Sequence, residues 1–152
     1  MVYRILLFLL INFAALGIGG FFTGAGVTSD WYASLNKAPW TPPGWVFGAA
    51  WTFIMICFSF YMAYAVKTVE QTNWLIGLFI VQWILNVLWN PVFFSFHNTQ
   101  IGLILIVALT MLVGYFFFKY RVDLKYKSLL VLPYFVWLVI ATSLNAYILL
   151  KN

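Results

Sequence analysis

Four long stretches of this sequence carry no charged residue, and they constrain the fold more than any other feature. They run from Ile5 to Ser29, Ala38 to Val66, Gln71 to Phe118 and Ser128 to Leu150. A helix that crosses the hydrocarbon core of a bilayer needs roughly 20 apolar residues, so the third stretch is long enough for two spans. Turn-forming residues between Asn90 and Asn98 allow a hairpin there. The sequence therefore predicts an all-α membrane protein with a five-transmembrane-helix bundle.

The predicted spans cover residues 3–26, 44–66, 73–94, 100–120 and 127–150 of a single domain, residues 1–152, with a long first loop at residues 27–43. Eight Lys/Arg and three Asp/Glu are too few to cover the surface of a soluble domain. The first stretch has an alternative interpretation as a cleaved signal peptide, since Arg4 precedes an apolar run with small residues from Gly17 to Gly20. That run continues to Val27, which is longer than the apolar part of a signal peptide.

The basic residues indicate an orientation in the membrane. With five spans, the N-terminus and the second and fourth loops share one side, which carries Arg4, Lys67, Lys119, Arg121, Lys125 and Lys127. The other side carries Lys37 and Lys151. The excess predicts a cytoplasmic N-terminus and an outer C-terminus. Short loops and the lack of an organelle signal favour a bacterial cell membrane, and the scattered basic residues give no nucleic-acid patch.

Carboxylate and histidine side chains are absent from the predicted spans, which disfavours several functional classes. Asp30, Glu70 and Asp123 all fall in loops, so a proton-coupled exporter and a channel with a charged ring are disfavoured. Cys57 is the only cysteine, and no cluster of metal ligands or nucleophile-base pair can be drawn. His97 is either a haem ligand or a solvated turn residue. We therefore expect no metal site and no conventional catalytic centre.

Polar and aromatic residues recur every four positions in two of the spans. The sets are Gln82, Asn86 and Asn90 in the third span, and Trp137, Ala141 and Asn145 in the fifth. Residues at this spacing share one helix face, and amides facing lipid would lack hydrogen-bond partners, so both faces should point inward. The amides then either bond neighbouring helices or contact a ligand.

The tryptophans divide into two groups by depth. An interfacial aromatic belt accounts for Trp31, Tyr32, Trp40, Trp45, Trp74 and Tyr120. Trp51 and Trp137 lie deeper, at the level of Asn86 and Ala141, roughly 12 to 20 Å below the outer surface by helix rise. Two deep indoles, an amide and a small residue at one level favour a cavity for an apolar ligand.

Glycines in the first span have two interpretations. Gly17, Gly20 and Gly24 include a Gly-x-x-x-Gly spacing, which is typical of close packing either within a bundle or at a dimer face.

Three segments resemble the TspO/MBR family of tryptophan-rich sensory and translocator proteins. They are WYASLNKAPWTPPGWVFGAAW from Trp31 to Trp51, LNVLWNPVFF from Leu85, and LPYFVWLVIAT from Leu132 to Thr142. The resemblance implies a five-helix bundle, often a homodimer, that binds porphyrins such as protoporphyrin IX, haem-related tetrapyrroles and isoquinoline carboxamides beneath the first loop. The family's ligand contacts fall on Tyr32, Trp51, Asn86, Trp137 and Ala141.

The resemblance also implies what the chain does with such a ligand. We expect a binding or sensing protein with no obligatory cofactor, whose partners are a porphyrin or similar planar molecule and membrane lipid. One alternative is a light-dependent porphyrin-degrading enzyme, for which Trp51 and Trp137 are the catalytic candidates. A porphyrin or lipid transporter is the other. The family's sterol motif has a loose match in Leu144, Tyr147 and Lys151, a pattern that often matches by chance.

Overall fold

Helices account for nearly all of the computed structural model, which describes residues 1–152. The α-helices are α1 (Val2–Val27), the short α2 (Asp30–Ser34), α3 (Gly44–Thr68), α4 (Thr72–Phe94), α5 (Thr99–Leu124) and α6 (Leu132–Lys151), and a 3-10 helix (Lys125–Val131) joins the last two. Val2–Val27, Gly44–Thr68, Thr72–Phe94 and the continuous helical stretch Thr99–Lys151 are long and apolar enough to cross a membrane. The protein is an integral membrane protein.

The longest helical stretch folds back on itself, which makes five long helices. Lys125 adopts φ 53°, a conformation that a non-glycine residue seldom takes, and it ends α5. The chain then returns so that Thr110 and Thr142 lie side by side, with 3.1 Å between their hydroxyl oxygens. This confirms the prediction of an all-α five-helix bundle. Residues 127–131, predicted as the start of the last span, belong to the 3-10 helix.

Local sequence explains where several of the helices begin. The Ser29 hydroxyl accepts a hydrogen bond from the Tyr32 amide and begins α2, and Asn98 does the same for Ile101 at the start of α5. Pro43 precedes α3. Pro91 does not end α4, which continues to Phe94, because the proline lies in the last turn and costs only one backbone hydrogen bond.

Helix α1 packs against the bundle through different glycines from those of the Gly-x-x-x-Gly spacing. Its buried positions are Phe8, Asn12, Ala15, Gly19 and Gly26, which face α3 and α4. Gly17, Gly20 and Gly24 have no atom of another helix within 4 Å of where a Cβ would lie. Close packing within the bundle is therefore the wrong interpretation of those three glycines.

Buried aromatic rings fill the half of the bundle opposite the first loop. Phe58 is fully buried and meets Tyr134 and Phe116 with ring centroids 5.2 and 5.8 Å apart. The Tyr61 hydroxyl donates to the Phe116 carbonyl at 2.8 Å. Tyr120, predicted in an interfacial belt, is only 2% exposed in this core, so that prediction is wrong. The half nearer the first loop is packed less completely and holds the candidate site.

Candidate functional site

A first cavity of about 100 Å³ lies among α1, α3 and α4. Its lining includes Gly19, Thr23, Trp51, Asn86 and Asn90. The Thr23 hydroxyl donates to the Asn90 side-chain oxygen at 2.7 Å, and the Asn90 amide donates to the Asn86 carbonyl at 2.9 Å. A Cβ on Gly19 would meet the Asn90 nitrogen at 2.8 Å, so glycine is needed for this approach of α1 to α4. The cavity thus has an indole on one side and amides on the other.

A second cavity of about 40 Å³ lies beneath the first loop, between α4 and α6. It is lined by Tyr32, Thr41, Phe47, Trp89, Phe93, Phe94, Ala141, Leu144, Asn145 and Ile148. Asn145 is its main polar residue and is 2% exposed. Its oxygen accepts from the Trp89 indole N–H at 3.2 Å, and its amide donates to the Thr99 carbonyl at 2.9 Å. These bonds satisfy the buried amide and join α4, α5 and α6.

Phe47 lines both cavities and is the one residue that they share. The ring also meets Trp137 edge to face, with centroids 5.5 Å apart. Trp137 is 8% exposed, and its indole N–H is buried without a hydrogen-bond partner. A buried donor without an acceptor is uncommon and costs about 1–3 kcal/mol in folded proteins. The Trp137 N–H therefore has no acceptor among the neighbouring protein groups.

The first loop roofs the second cavity through Tyr32. Its ring lies 5.8 Å from that of Phe94, and the Lys37 ammonium group lies 4.6 Å from its other side. Burial raises the pKa of the Tyr32 phenol above its usual value. The neutral, hydrogen-bond-donating form of this side chain is therefore maintained at physiological pH.

Contacts at both ends fasten this loop to the bundle. Trp31 stacks on His97 at 4.1 Å, which places His97 on the exposed side of the turn after α4. At the other end the Asn36 amide N–H donates to the Asn152 side chain at 2.9 Å, and the Trp40 indole donates to the Ser143 hydroxyl at 3.0 Å. The loop is thereby held against both α4 and α6.

The five predicted ligand contacts do not meet in one cavity. Trp51 and Asn86 line the first cavity and Tyr32 and Ala141 the second, while Trp137 reaches both only through Phe47.

The three sterol-motif residues do not form one surface. Leu144 lines the second cavity, Tyr147 packs its ring against Trp40 at 5.5 Å, and Lys151 is exposed at the end of α6.

Sequence reasoning missed Phe47 and the Trp89–Asn145 pair. Phe47 lies one helical turn before Trp51 on the same face of α3, and that spacing was the available signal. Trp89 lies three positions after Asn86 and could have been assigned to the inward face of α4 in the same way. Aromatic residues are 22% of the chain, so neither position stands out by type alone.

Known proteins similar to this chain come from several kinds of organism. A family model described as the TspO/MBR family matches residues 7–150. The tryptophan-rich protein TspO of Archaeoglobus fulgidus is 37% identical, over all of this chain and 96% of its own. The tryptophan-rich sensory protein of Cereibacter sphaeroides is 32% identical, over 81% of this chain and 78% of its own. The human translocator protein is 28% identical, over 76% and 70%.

Proposed function

The chain belongs to the TspO/MBR family, and from that premise we propose that it binds porphyrins, such as protoporphyrin IX, or similar flat apolar molecules beneath the first loop. One observation carries the proposal. Tyr32, Trp51, Asn86 and Ala141 line the two cavities that Phe47 separates, and Trp137 contacts Phe47 directly. A change in the position of one ring would therefore join the surroundings of all five residues.

The two cavities are too small for such a ligand unless the Phe47 ring moves. Sites for small molecules occupy about 300–1,000 Å³ and are mostly apolar, with few polar groups. The two cavities of about 100 and 40 Å³ have that composition but are too small while Phe47 separates them. In the bound state the Phe47 ring swings toward lipid, and the ligand takes its place between Trp51 and Ala141.

The polar groups around this space orient the ligand. Trp137 offers an indole N–H that has no acceptor in the protein. Asn86, 7% exposed and on the wall of the first cavity, offers a side-chain amide. The carboxylate oxygen atoms of a tetrapyrrole accept such bonds, and aromatic stacking and burial of the macrocycle supply the affinity.

Ala141→Thr tests the site. Ala141 lines the smaller cavity, and the two extra heavy atoms of threonine take up space that the ligand needs. A clash that costs about 1–3 kcal/mol corresponds to roughly 5- to 150-fold weaker binding. The measurement is titration of the purified protein with protoporphyrin IX, followed by quenching of tryptophan fluorescence in the dark. Ala49→Thr, at an exposed position of α3, is the matched control. Equal affinity of the two variants would refute the assignment.

The two indoles bordering this space favour one second candidate, light-dependent degradation of the bound porphyrin. In that reaction an indole passes an electron to the excited ligand or to oxygen. Repeating the titration under illumination discriminates the two functions. Loss of porphyrin absorbance with the wild type, and binding without loss for Trp51→Phe and Trp137→Phe, supports the enzyme. Unchanged porphyrin absorbance with the wild type would support binding without degradation.

We also propose that the N-terminus lies in the cytoplasm and the C-terminus outside, in a bacterial cell membrane. Six of the eight basic residues support this, because they lie at the helix ends that share a side with Arg4. We also propose that the protein forms a homodimer. The exposed glycines Gly17 and Gly24 of α1 leave room for a second copy at close range.

A further inference from the structure

A long apolar groove follows α3 on the outer surface of the bundle, with the 3-10 helix and the first half of α6 as its other wall. Direct contacts between α3 and α6 are sparse. Two adjoining openings of about 470 and 410 Å³ share Phe53, Leu129 and Pro133 in their walls. Together they extend from Tyr64 to Ala50 on α3, which is roughly 21 Å of helix rise. The groove is open to lipid, with Phe53 57% and Leu129 56% exposed.

A positive charge stands at one end of this groove. The Lys127 ammonium group lies 4.3 Å from the Tyr64 ring and 5.9 Å from the Tyr126 ring, and all three residues line the groove. Contacts of this kind between a cation and aromatic rings hold the lysine at the groove mouth. The helix ends around it carry Arg4, Lys67, Lys119, Arg121 and Lys125, against the acidic residues Glu70 and Asp123.

We propose that this groove is a specific site for an anionic phospholipid, one acyl chain of which lies along α3, against the 3-10 helix and α6, with its phosphate at Lys127. The hydrocarbon of one leaflet is roughly 15 Å thick, so a groove of 21 Å accepts a chain from the headgroup to the middle of the membrane. The walls are apolar except near Lys127. That distribution matches the chemistry of a lipid with a negative headgroup.

The groove is distinct from the cavities beneath the first loop. Trp137 lines its inner end, and the Phe47 ring lies on the other side of Trp137. Neither cavity shares a lining residue with the groove, and Trp137 stands between the groove and the space of the proposed porphyrin site. The lipid proposal does not depend on porphyrin binding.

Headgroup preference is the first test. Detergent-purified protein is titrated with phosphatidylglycerol or phosphatidylcholine carrying the same acyl chains, and bound lipids are counted by native mass spectrometry. One basic residue near the headgroup corresponds to about a fivefold change in affinity, so we expect phosphatidylglycerol to bind about five times more tightly. Lys127→Gln should lose this preference. Lys119→Gln, an exposed lysine at the same end, should keep it.

Position is the second test. Phosphatidylglycerol with a photoreactive group in its acyl chain is bound to the wild type and irradiated, and the modified peptides are mapped. We expect adducts concentrated in residues 50–64 and 126–140, with Cys57 among the groove positions within reach.

Three outcomes would overturn the proposal. They are equal binding of the two lipids, a preference that survives Lys127→Gln, and adducts spread evenly over the lipid-facing surfaces of α1 and α4. Circular dichroism and size exclusion of each variant establish that loss of binding is not loss of fold.

Discussion

Gly26 offers the sharpest test of how α1 packs against the bundle. A Cβ at this position would lie 2.6 Å from the Phe94 Cβ, where ordinary van der Waals contacts begin near 3.4 Å. Phe94 cannot retreat, because it is 8% exposed and contacts the rings of Phe93, Trp89 and Tyr32 at 4.9 to 5.8 Å. The substitution Gly26→Ala must therefore push the end of α1 away from α4.

The expected magnitude combines two opposing effects. Overpacking of a filled contact costs about 1–3 kcal/mol, while replacing a helical glycine with alanine contributes about 0.5–1 kcal/mol of stability. Gly26→Ala should thus destabilise the protein by about 1–2 kcal/mol. Gly24→Ala is the matched control, because its Cβ would have no neighbour within 4 Å. Only the stabilisation from replacing a helical glycine with alanine then applies.

The assay is unfolding of both variants and the wild type in the same detergent, by heating and by titration with a denaturing surfactant. A difference of about 2 kcal/mol between the variants corresponds to roughly 4–8 °C in Tm for a chain of this length. If Gly26→Ala is as stable as Gly24→Ala, then α1 does not make its closest approach to α4 at Gly26, and the packing argument is wrong.

Two further predictions concern the polar groups of the site. Asn145→Ala removes the bonds to the Trp89 indole and the Thr99 carbonyl and should cost about 1–3 kcal/mol in the same unfolding assay, whereas Asn73→Ala, at an exposed position, should cost nothing measurable. Ionisation of the Tyr32 phenol should lower the stability of the protein at high pH. Because burial raises its pKa in the folded state, its contribution is complete below about pH 10 and is lost as the pH rises through the raised value. Unfolding at pH 8 and 11 should show a smaller loss for Tyr32→Phe than for the wild type, and an equal loss would contradict this.

Hydropathy and polarity predict the helices and their inward faces well, for a physical reason. An amide side chain that faces lipid has no hydrogen-bond partner there, so Gln82, Asn86 and Asn145 are expected to point inward. The structure buries all three. Charge-free length likewise predicts five long helices.

How the helices meet is the part that a single sequence does not contain. Helix rise predicts that Trp51 and Trp137 share a depth, but not that the Phe47 ring lies between their surroundings, because depth says nothing about rotation around the helix axis. The same limit applies to α1. A Gly-x-x-x-Gly spacing selects Gly20, whereas packing uses Gly19, one position and about 100° away on the helix.

Uncharged groups make the polar contacts of the interior. The Asn12 amide donates to the Ser59 hydroxyl at 2.9 Å, and the Gln82 amide donates to the Tyr134 hydroxyl at 2.7 Å. Salt screens interactions between charges, with a Debye length of about 8 Å at 0.15 M, so these uncharged contacts do not respond to ionic strength. Raising the sodium chloride concentration can therefore weaken the binding of a lipid phosphate to Lys127 without changing the arrangement of the helices that form the groove.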